Sequence, residues 1–394
     1  MNHAITLGRA WDIFERTTAS LARGTAPGTA FFPAGGLRRF DPLVSRIVAL
    51  ARTEDPAAVR RAADGAAVDR HPLAVEVHLP ARFGAALIRA TGTTAHVARL
   101  DELAGGTIDD LAGATEDEVY GALGLPCIPP EIRSGDLELQ RAAEGTLPRL
   151  VTRADIRGDL HVHTHYSDGR DDVETVVRSA AALGYEYIAI TDHSPACTAS
   201  RVHSETTLRQ QMEEIDELQV RYPTVRILKG IETDILPNGA LDLPDTLLER
   251  LDIVLASLHN DAGQSPEVLL SRYAAAAAHP LVNVLTHPSN QIVSRRAGYA
   301  LDYDRLFELA STTRTMLEID GAPSHLDLDG DMARRAAAAG VTLTIDSDCH
   351  HAALMGRYMV FGVGTARRGW IEPSSVANTR PLDELLTMLR VKRK

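Results

Sequence analysis

Lysine and cysteine are scarce in this chain, long apolar runs are missing, and each shortage excludes something. Lysine occurs only at Lys229, Lys392 and Lys394, so arginine carries nearly all the positive charge, which codon bias explains before function does. The three cysteines, Cys127, Cys197 and Cys349, stand at unrelated spacings. They do not read as a disulfide framework and point to reduced thiols in a cytoplasmic protein. No apolar stretch approaches the roughly 18 residues of a membrane helix, and the opening MNHAITLGRAWDIFERT lacks the apolar core of a signal peptide. Neither a membrane partner nor a secreted location is expected. Repeats are missing too, and low complexity is confined to alanine clusters such as Ala274 to Ala278. A formal net charge of -12 disfavours non-specific nucleic-acid binding, whose affinity comes from neutralising phosphates, while leaving room for a local basic patch.

What is present is ample core material: 394 residues, 44% hydrophobic and 24% charged, enough for two or three domains. Residues 1 to about 150 are rich in Ala and Arg. Their pattern predicts helices over Leu43 to Arg52 and Phe83 to Ala90 and a short strand over Ala74 to Leu79. Gly105-Gly106 and Pro126 to Pro130 break it. From Asp155 onward, short apolar strands alternate with helical segments. Strands are expected at Gly158 to His163, Tyr187 to Thr191, Arg226 to Gly230, Ile253 to Ser257, Val282 to Thr286, Met316 to Asp320 and Thr342 to Asp346. Helices are expected between them, as at Asp172 to Leu183, Thr206 to Arg221, Pro266 to Ala278, Tyr303 to Ala310 and Asp331 to Ala339. Such alternation implies an α/β fold with a parallel sheet. Seven units suit a distorted barrel related to the TIM barrel, with a doubly wound open sheet as the alternative.

Potential metal ligands fall at the C-terminal ends of these strands: His161 and His163, Asp168 in the next loop, His193, Glu232, His259, His287, Asp348 and His350. Alternate residues of a strand share a side, so His161 and His163 face one pocket. In a parallel barrel the strand ends converge on the face where such folds carry their active sites. Six His, two Asp and one Glu are too many for one ion and suit two or three of zinc, manganese or iron, with Glu232 as a bridge. His165, His203, His279, His325 and His351 stay outside the set, His279 as a partner of a helix C-terminus.

Asp159-Leu160-His161-Val162-His163, Ser167-Asp168-Gly169, Thr191-Asp192-His193, Gly230-Ile231-Glu232, Ser257-Leu258-His259, Thr286-His287-Pro288 and Asp348-Cys349-His350 resemble the motifs of the PHP (polymerase and histidinol phosphatase) family. The likeness is to the PHP domain of bacterial family X DNA polymerases, and the stretch Tyr358 to Leu386 shares it. The resemblance implies three ions. His161, His163, Glu232 and Asp348 would hold one, Glu232, His259 and His287 a second, and Asp168, His193 and His350 a third. Glu232, His193, Asp348 and His350 would stand closest to the chemistry, with Arg201 and Arg295 as phosphate contacts. Upstream, Gly35-Gly36-Leu37-Arg38-Arg39, Val75-Glu76-Val77, Phe83 to Leu87, Thr91-Gly92 and His96 resemble a polymerase palm and thumb. Arg39 is followed by Phe40-Asp41-Pro42 rather than paired carboxylates, and Arg89-Ala90 replaces an aromatic pair. Residues 1–133 therefore resemble a degenerate palm and thumb, 134–154 a connector and 155–394 a PHP domain. The activity implied is a phosphoesterase using a metal-activated hydroxide on nucleic-acid 3′ ends, as a 3′-5′ exonuclease, or on nucleotides, without DNA polymerisation. A small-molecule phosphatase of the histidinol-phosphate type is the alternative. A non-catalytic DNA-binding or scaffold protein is the third reading.

Overall fold

The chain folds as two units, Met1–Pro148 and Arg149–Lys394, in a computed structural model that describes residues 4–64, 72–197, 204–261 and 263–392. The boundary falls inside the segment read as a connector. None of the helices among the described residues is long and apolar enough to cross a membrane.

In the first unit, β1 (Ile5–Thr6) pairs with β3 (Leu43–Val44). A three-stranded sheet joins β2 (Ala30–Ala34), β4 (Ile47–Arg52) and β5 (Leu73–His78) in the order β2-β4-β5. The helix expected over Leu43 to Arg52 is thus two strands. The reason lies in burial: Ile47, Val48, Ala49, Leu50 and Ala51 are all buried because β4 is the central strand. A strand covered on both faces loses the alternation that distinguishes it from a helix. The helix Phe83–Thr91 and the strand Leu73–His78 lie where the pattern puts them.

The second unit has seven strands: β6 (Gly158–Asp159), β7 (Tyr187–Ile190), β8 (Arg226–Asp234), β9 (Ile253–Ser257), β10 (Val284–Leu285), β11 (Met316–Asp320) and β12 (Leu343–Asp346). They pair in parallel in sequence order. The ends of this sheet meet. Beyond β6 and β12, Val162 bridges Cys349, with the His163 amide donating to Cys349 O at 3.0 Å. Side chains clasp the rest of the seam. Asp346 Oδ1 accepts the Leu160 amide at 2.8 Å, and Asp159 Oδ1 accepts the Ser347 amide at 3.1 Å. Asn378 Nδ2 donates to Gly158 O at 3.0 Å and to Ile345 O at 2.6 Å. The result is a nearly closed barrel rather than an open doubly wound sheet.

Helices surround it, several begun by a side chain that accepts an amide of the first turn: Asp172 for Val173–Ala182, Ser204 for Glu205–Arg221, Ser265 for Pro266–Ala278, Asp302 for Tyr303–Thr313 and Asp329 for Gly330–Ala338. Strand periodicity sorts the side chains. Ile188, Ile190, Ile227, Ile231, Val254, Leu317, Ile319 and Ile345 pack outward under the helices. Tyr187, Ala189, Leu228, Ile253, Leu255, Val284 and Met316 fill the interior, closed below by Leu385 and Leu389 of the last helix, Leu382–Val391. Continuing the inward phase towards the strand ends gives Glu232 and Asp234 on β8, Glu318 and Asp320 on β11 and Asp346 on β12. The barrel is therefore apolar at its base and acidic at its C-terminal face.

Backbone packing at that face is tight. A Cβ on Gly321 would lie 2.2 Å from Tyr358 O and 3.0 Å from Asp346 O. Gly321→Ala is expected to cost about 1–3 kcal/mol, because backbone atoms cannot yield as a flexible side chain does, and chemical denaturation would show it as a lowered midpoint.

Candidate metal centre

The loops after the strands complete the acidic face with histidines. His161 and His163 leave β6 two residues apart, and regular pairing of that strand ends at Asp159. Both are buried, at 0% and 1% exposure, and their Nε2 atoms face each other at 3.0 Å. Asp348 Oδ1 lies 3.1 Å from His163 Nε2 and 3.7 Å from His161 Nε2. Glu232 Oε2 stands 3.5 Å from His161 Nε2 and 3.6 Å from His163 Nε2. Four donors around one zinc-sized ion with bonds of about 2.1 Å would be about 3.4 Å apart, so this spacing fits.

The other oxygen of Glu232 faces a second group. Oε1 lies 3.0 Å from His287 Nε2 and 3.5 Å from His259 Nε2. A third group gathers Asp168, His193 and His350 with His163. Asp168 Oδ1 is 3.2 Å from His350 Nε2 and 3.7 Å from His193 Nε2. Asp168 and His350 are the open side of the cluster, with 29% and 38% of their side chains exposed. All nine residues singled out in the sequence thus converge at one end of the barrel.

Partners on the far sides of the rings fix which nitrogen is free. Glu318 Oε1 accepts from His161 Nδ1 at 2.7 Å, and its Oε2 accepts the His287 amide at 2.8 Å and the Thr286 hydroxyl. His259 Nδ1 faces Asp234 Oδ2 at 3.3 Å and Ser257 Oγ at 3.1 Å. With Nδ1 protonated, Nε2 keeps its lone pair for a cation. Glu318→Gln is expected to weaken metal affinity 10- to 100-fold, measured by titrating the stripped protein, while leaving the fold intact.

Electrostatics supply a test of whether a cation fits. Burial alone would raise the Glu232 carboxyl, but the imidazoles of His193, His259 and His161 hold it well below the usual carboxylate range. Burial pushes Asp159 up to about 6. Burial and Glu318 push Asp346 well up. Among the described residues, the ion pairs of Glu232, Asp234, Glu318 and Asp348 are all with histidines. Glu232 Oε2 and His193 Nδ1 approach to 2.8 Å without the alignment of a hydrogen bond, so both stay unsatisfied. Buried, unsatisfied and net acidic, this set has the chemistry of a divalent-cation site.

Arg201 and His203 lie outside the described residues. Arg295 is exposed on the turn closed by the Ile292–Arg296 bridge. Arg296 donates to Asn290 O at 2.9 Å and so braces a loop. His279 caps the helix Pro266–Ala278 and reaches Asp245 at 3.2 Å. His351 pairs with Asp171 at 2.9 Å. The reading above missed Glu318 and Asp234, although both sit on expected or extended strands at the inward phase. In the first unit Glu76 lies 3.6 Å from Arg46, Arg39 pairs with Asp41 at 2.6 Å, and Arg89 pairs with Asp101 at 3.0 Å. Among the described residues, every metal-capable group lies in the second unit.

The family model described as the PHP domain matches residues 159–352. The chain is 39% identical over 267 residues to the DNA polymerase/3'-5' exonuclease PolX of Bacillus subtilis, a match covering 68% of this chain and 46% of that protein. It therefore spans less than half of that relative's length. The match is longer than the second unit and so reaches into the first. A "probable phosphatase" of Caldanaerobacter subterraneus is 30% identical, with 52% of this chain and 82% of that protein covered. Among solved structures, a histidinol phosphate phosphatase of Lactococcus lactis, complexed with zinc, L-histidinol and phosphate, aligns at a TM-score of 0.40 and 17% identity, covering 53% of this chain and 94% of that one.

Proposed function

The chain belongs to the PHP family, and from that premise we propose that it is a phosphoric ester hydrolase whose cleft is a metal centre acting on nucleic-acid 3′ ends or nucleotides. The observation that carries the metal reading is Glu232, whose two oxygens turn to two different histidine groups. His161, His163, Asp348 and Glu232 would hold one divalent ion, Glu232, His259 and His287 a second, and Asp168, His193 and His350 a third, the donors suiting zinc, manganese or iron. Bound ions supply hydroxide at neutral pH and offset the charge that grows on a phosphoryl group.

The chain's own side chains do the rest. Glu318 and Asp234 hold His161 and His259 in the tautomer that leaves Nε2 free. Asp168 and His350 line the open side, where an ester enters, and we place Glu232, His193, Asp348 and His350 nearest the reacting atoms. Arg295 and Arg201 are assigned to the phosphate of the bound ester, where a guanidinium can engage two oxygens.

Support for a nucleic-acid substrate comes from the 39% identity to a polymerase and exonuclease, reaching beyond the barrel. We read residues 1–133 as a remnant of a polymerase palm and thumb, 134–154 as a connector and 155–394 as the catalytic part. Paired carboxylates are needed for two-metal polymerisation. With Arg39 followed by Phe40 and with Glu76 beside Arg46, template-directed primer extension is expected to give no incorporation, and any extended product overturns that reading.

A labelled single strand set beside a panel of phosphomonoesters, both with metal-loaded protein, tests the substrate. Stepwise release of nucleotides from the 3′ end is expected. Turnover of small monoesters with an intact strand moves the function to a small-molecule phosphatase, a reading favoured by the net charge of -12. Failure on both substrates overturns the proposal.

A further inference from the structure

Two side chains outside the nine ligands reach the same cleft from the loop after β11. Asp320 ends that strand, and His325 lies five residues on. The loop folds back on its own strand, since Asp320 and Asp327 form an antiparallel bridge and the Asp327 amide donates to Asp320 O at 3.2 Å. Within it, the His325 amide donates to Ala322 O at 2.9 Å and the Leu326 amide to the same oxygen at 3.0 Å. The loop after β10 pins it from the side: Gln291 Nε2 donates to Leu326 O at 2.9 Å, and the Val293 amide donates to Ser324 O at 2.8 Å. Backbone bonds, rather than side-chain packing alone, therefore fix where His325 stands.

The ring orientation follows. His325 Nδ1 lies 3.0 Å from Gln291 O, and a carbonyl only accepts, so Nδ1 carries the proton and Nε2 the lone pair. Metal-binding imidazoles are held in this way by a carbonyl or carboxylate on the other nitrogen. The ring stacks on His287 with centroids 5.7 Å apart. One donor atom each from Asp320, His325 and Asp348 lie within 4.8 Å of one another.

An independent observation points to a ligand there. Asp320 is 0% exposed. Its Oδ1 accepts the Ala322 amide at 2.6 Å, while its Oδ2 has no hydrogen-bond partner. Its charged neighbours are the carboxylates Asp348 and Glu318 and, with a smaller opposing effect, the His161 imidazole. A buried carboxylate oxygen with no donor, beside like charges, is costly unless a cation meets it.

We infer that Asp320, His325 and Asp348 form an additional divalent-cation site, sharing Asp348 with the group around His161 and His163. This rests on the reading of the cleft as a metal centre. Two carboxylates and one imidazole make a more oxygen-rich set than the histidine-dominated groups beside it. That favours a harder ion, manganese or magnesium, over zinc. Three protein donors leave coordination positions open to solvent or to an oxygen of the ester.

The test counts ions. Full-length protein is stripped by a chelator and titrated with Mn²⁺, the free ion being followed by electron paramagnetic resonance, for the wild type, Asp320→Asn and His325→Ala. The wild type is expected to bind one more Mn²⁺ than either variant, or to bind that ion at least about tenfold more tightly, with the remaining ions unchanged. Equal stoichiometry and affinity in all three proteins overturns the site. So does loss of an ion in Asp320→Asn alone, because His325 is then no ligand. A wild type that takes up no Mn²⁺ overturns the metal-centre reading and this site with it, whereas retention of the other ions in the variants separates the two.

Discussion

Replacing His161 and His163 together by alanine is expected to lower kcat/KM for any phosphate ester the protein turns over by about 10³-fold or more. Their two Nε2 atoms, 3.0 Å apart, are half of the donor group completed by Glu232 and Asp348. Without them Asp348 would lose its nearest imidazole, and Glu232 would keep only His193, His259 and His287. A bound ion contributes several kcal/mol to charge stabilisation in a phosphoryl transfer, and each 1.36 kcal/mol is a factor of ten in rate. Because both rings are buried, the double variant also leaves a cavity. The single change His161→Gln, which keeps most of the volume, is the control. Activity within tenfold of wild type in both folded variants would remove this cleft from the chemistry.

Stripping the protein of metal with a chelator is expected to lower its unfolding temperature by roughly 10 °C. Asp159, Glu232, Glu318, Asp320, Asp346 and Asp348 are all buried at one end of one barrel. Burial pushes Asp159 up to about 6 and raises Asp320 well above the usual carboxylate range, while neighbouring imidazoles hold Glu232 and Asp348 well below it. Cations relieve both conditions at once. An ion present at 1,000 times its Kd stabilises the folded state by about 4 kcal/mol, and for a unit of this size each kcal/mol moves the midpoint by roughly 2–4 °C. Calorimetry of the loaded and chelated protein measures the shift. Coincident transitions would mean that the acidic face is stable without ions and that the fit argued from its unsatisfied atoms is wrong.

Particular residues show how far the sequence could be read. The strands Ile253–Ser257 and Met316–Asp320 and the helix Pro266–Ala278 lie where the pattern puts them, because each is a short run in a repeating strand–helix alternation and is bounded by caps or loop residues. The segment Leu43 to Arg52 was misread, since full burial of β4 erases the period that tells strand from helix. Glu318 carried a usable signal: Met316, Glu318 and Asp320 alternate with Leu317 and Ile319, so an acid pair had to face the interior once the barrel was granted. His325 carried none. Its neighbours in sequence are loop residues, and only the bridge between Asp320 and Asp327 and the carbonyl of Gln291 bring its ring towards Asp348.

The sequence by itself determined which acidic and imidazole side chains stand at the strand ends and the order of the strands that carry them, because both follow from local pattern: residue types at strand ends and the alternation of strand and helix. The division of the nine donors into groups came through the family resemblance alone, and the sequence could not determine which oxygen of Glu232 serves which histidines or that the seam is clasped by Asp159, Asp346 and Asn378. Those are relations between residues far apart in the chain. They depend on strand register and on the distance at which the sheet closes, and only the folded barrel sets either.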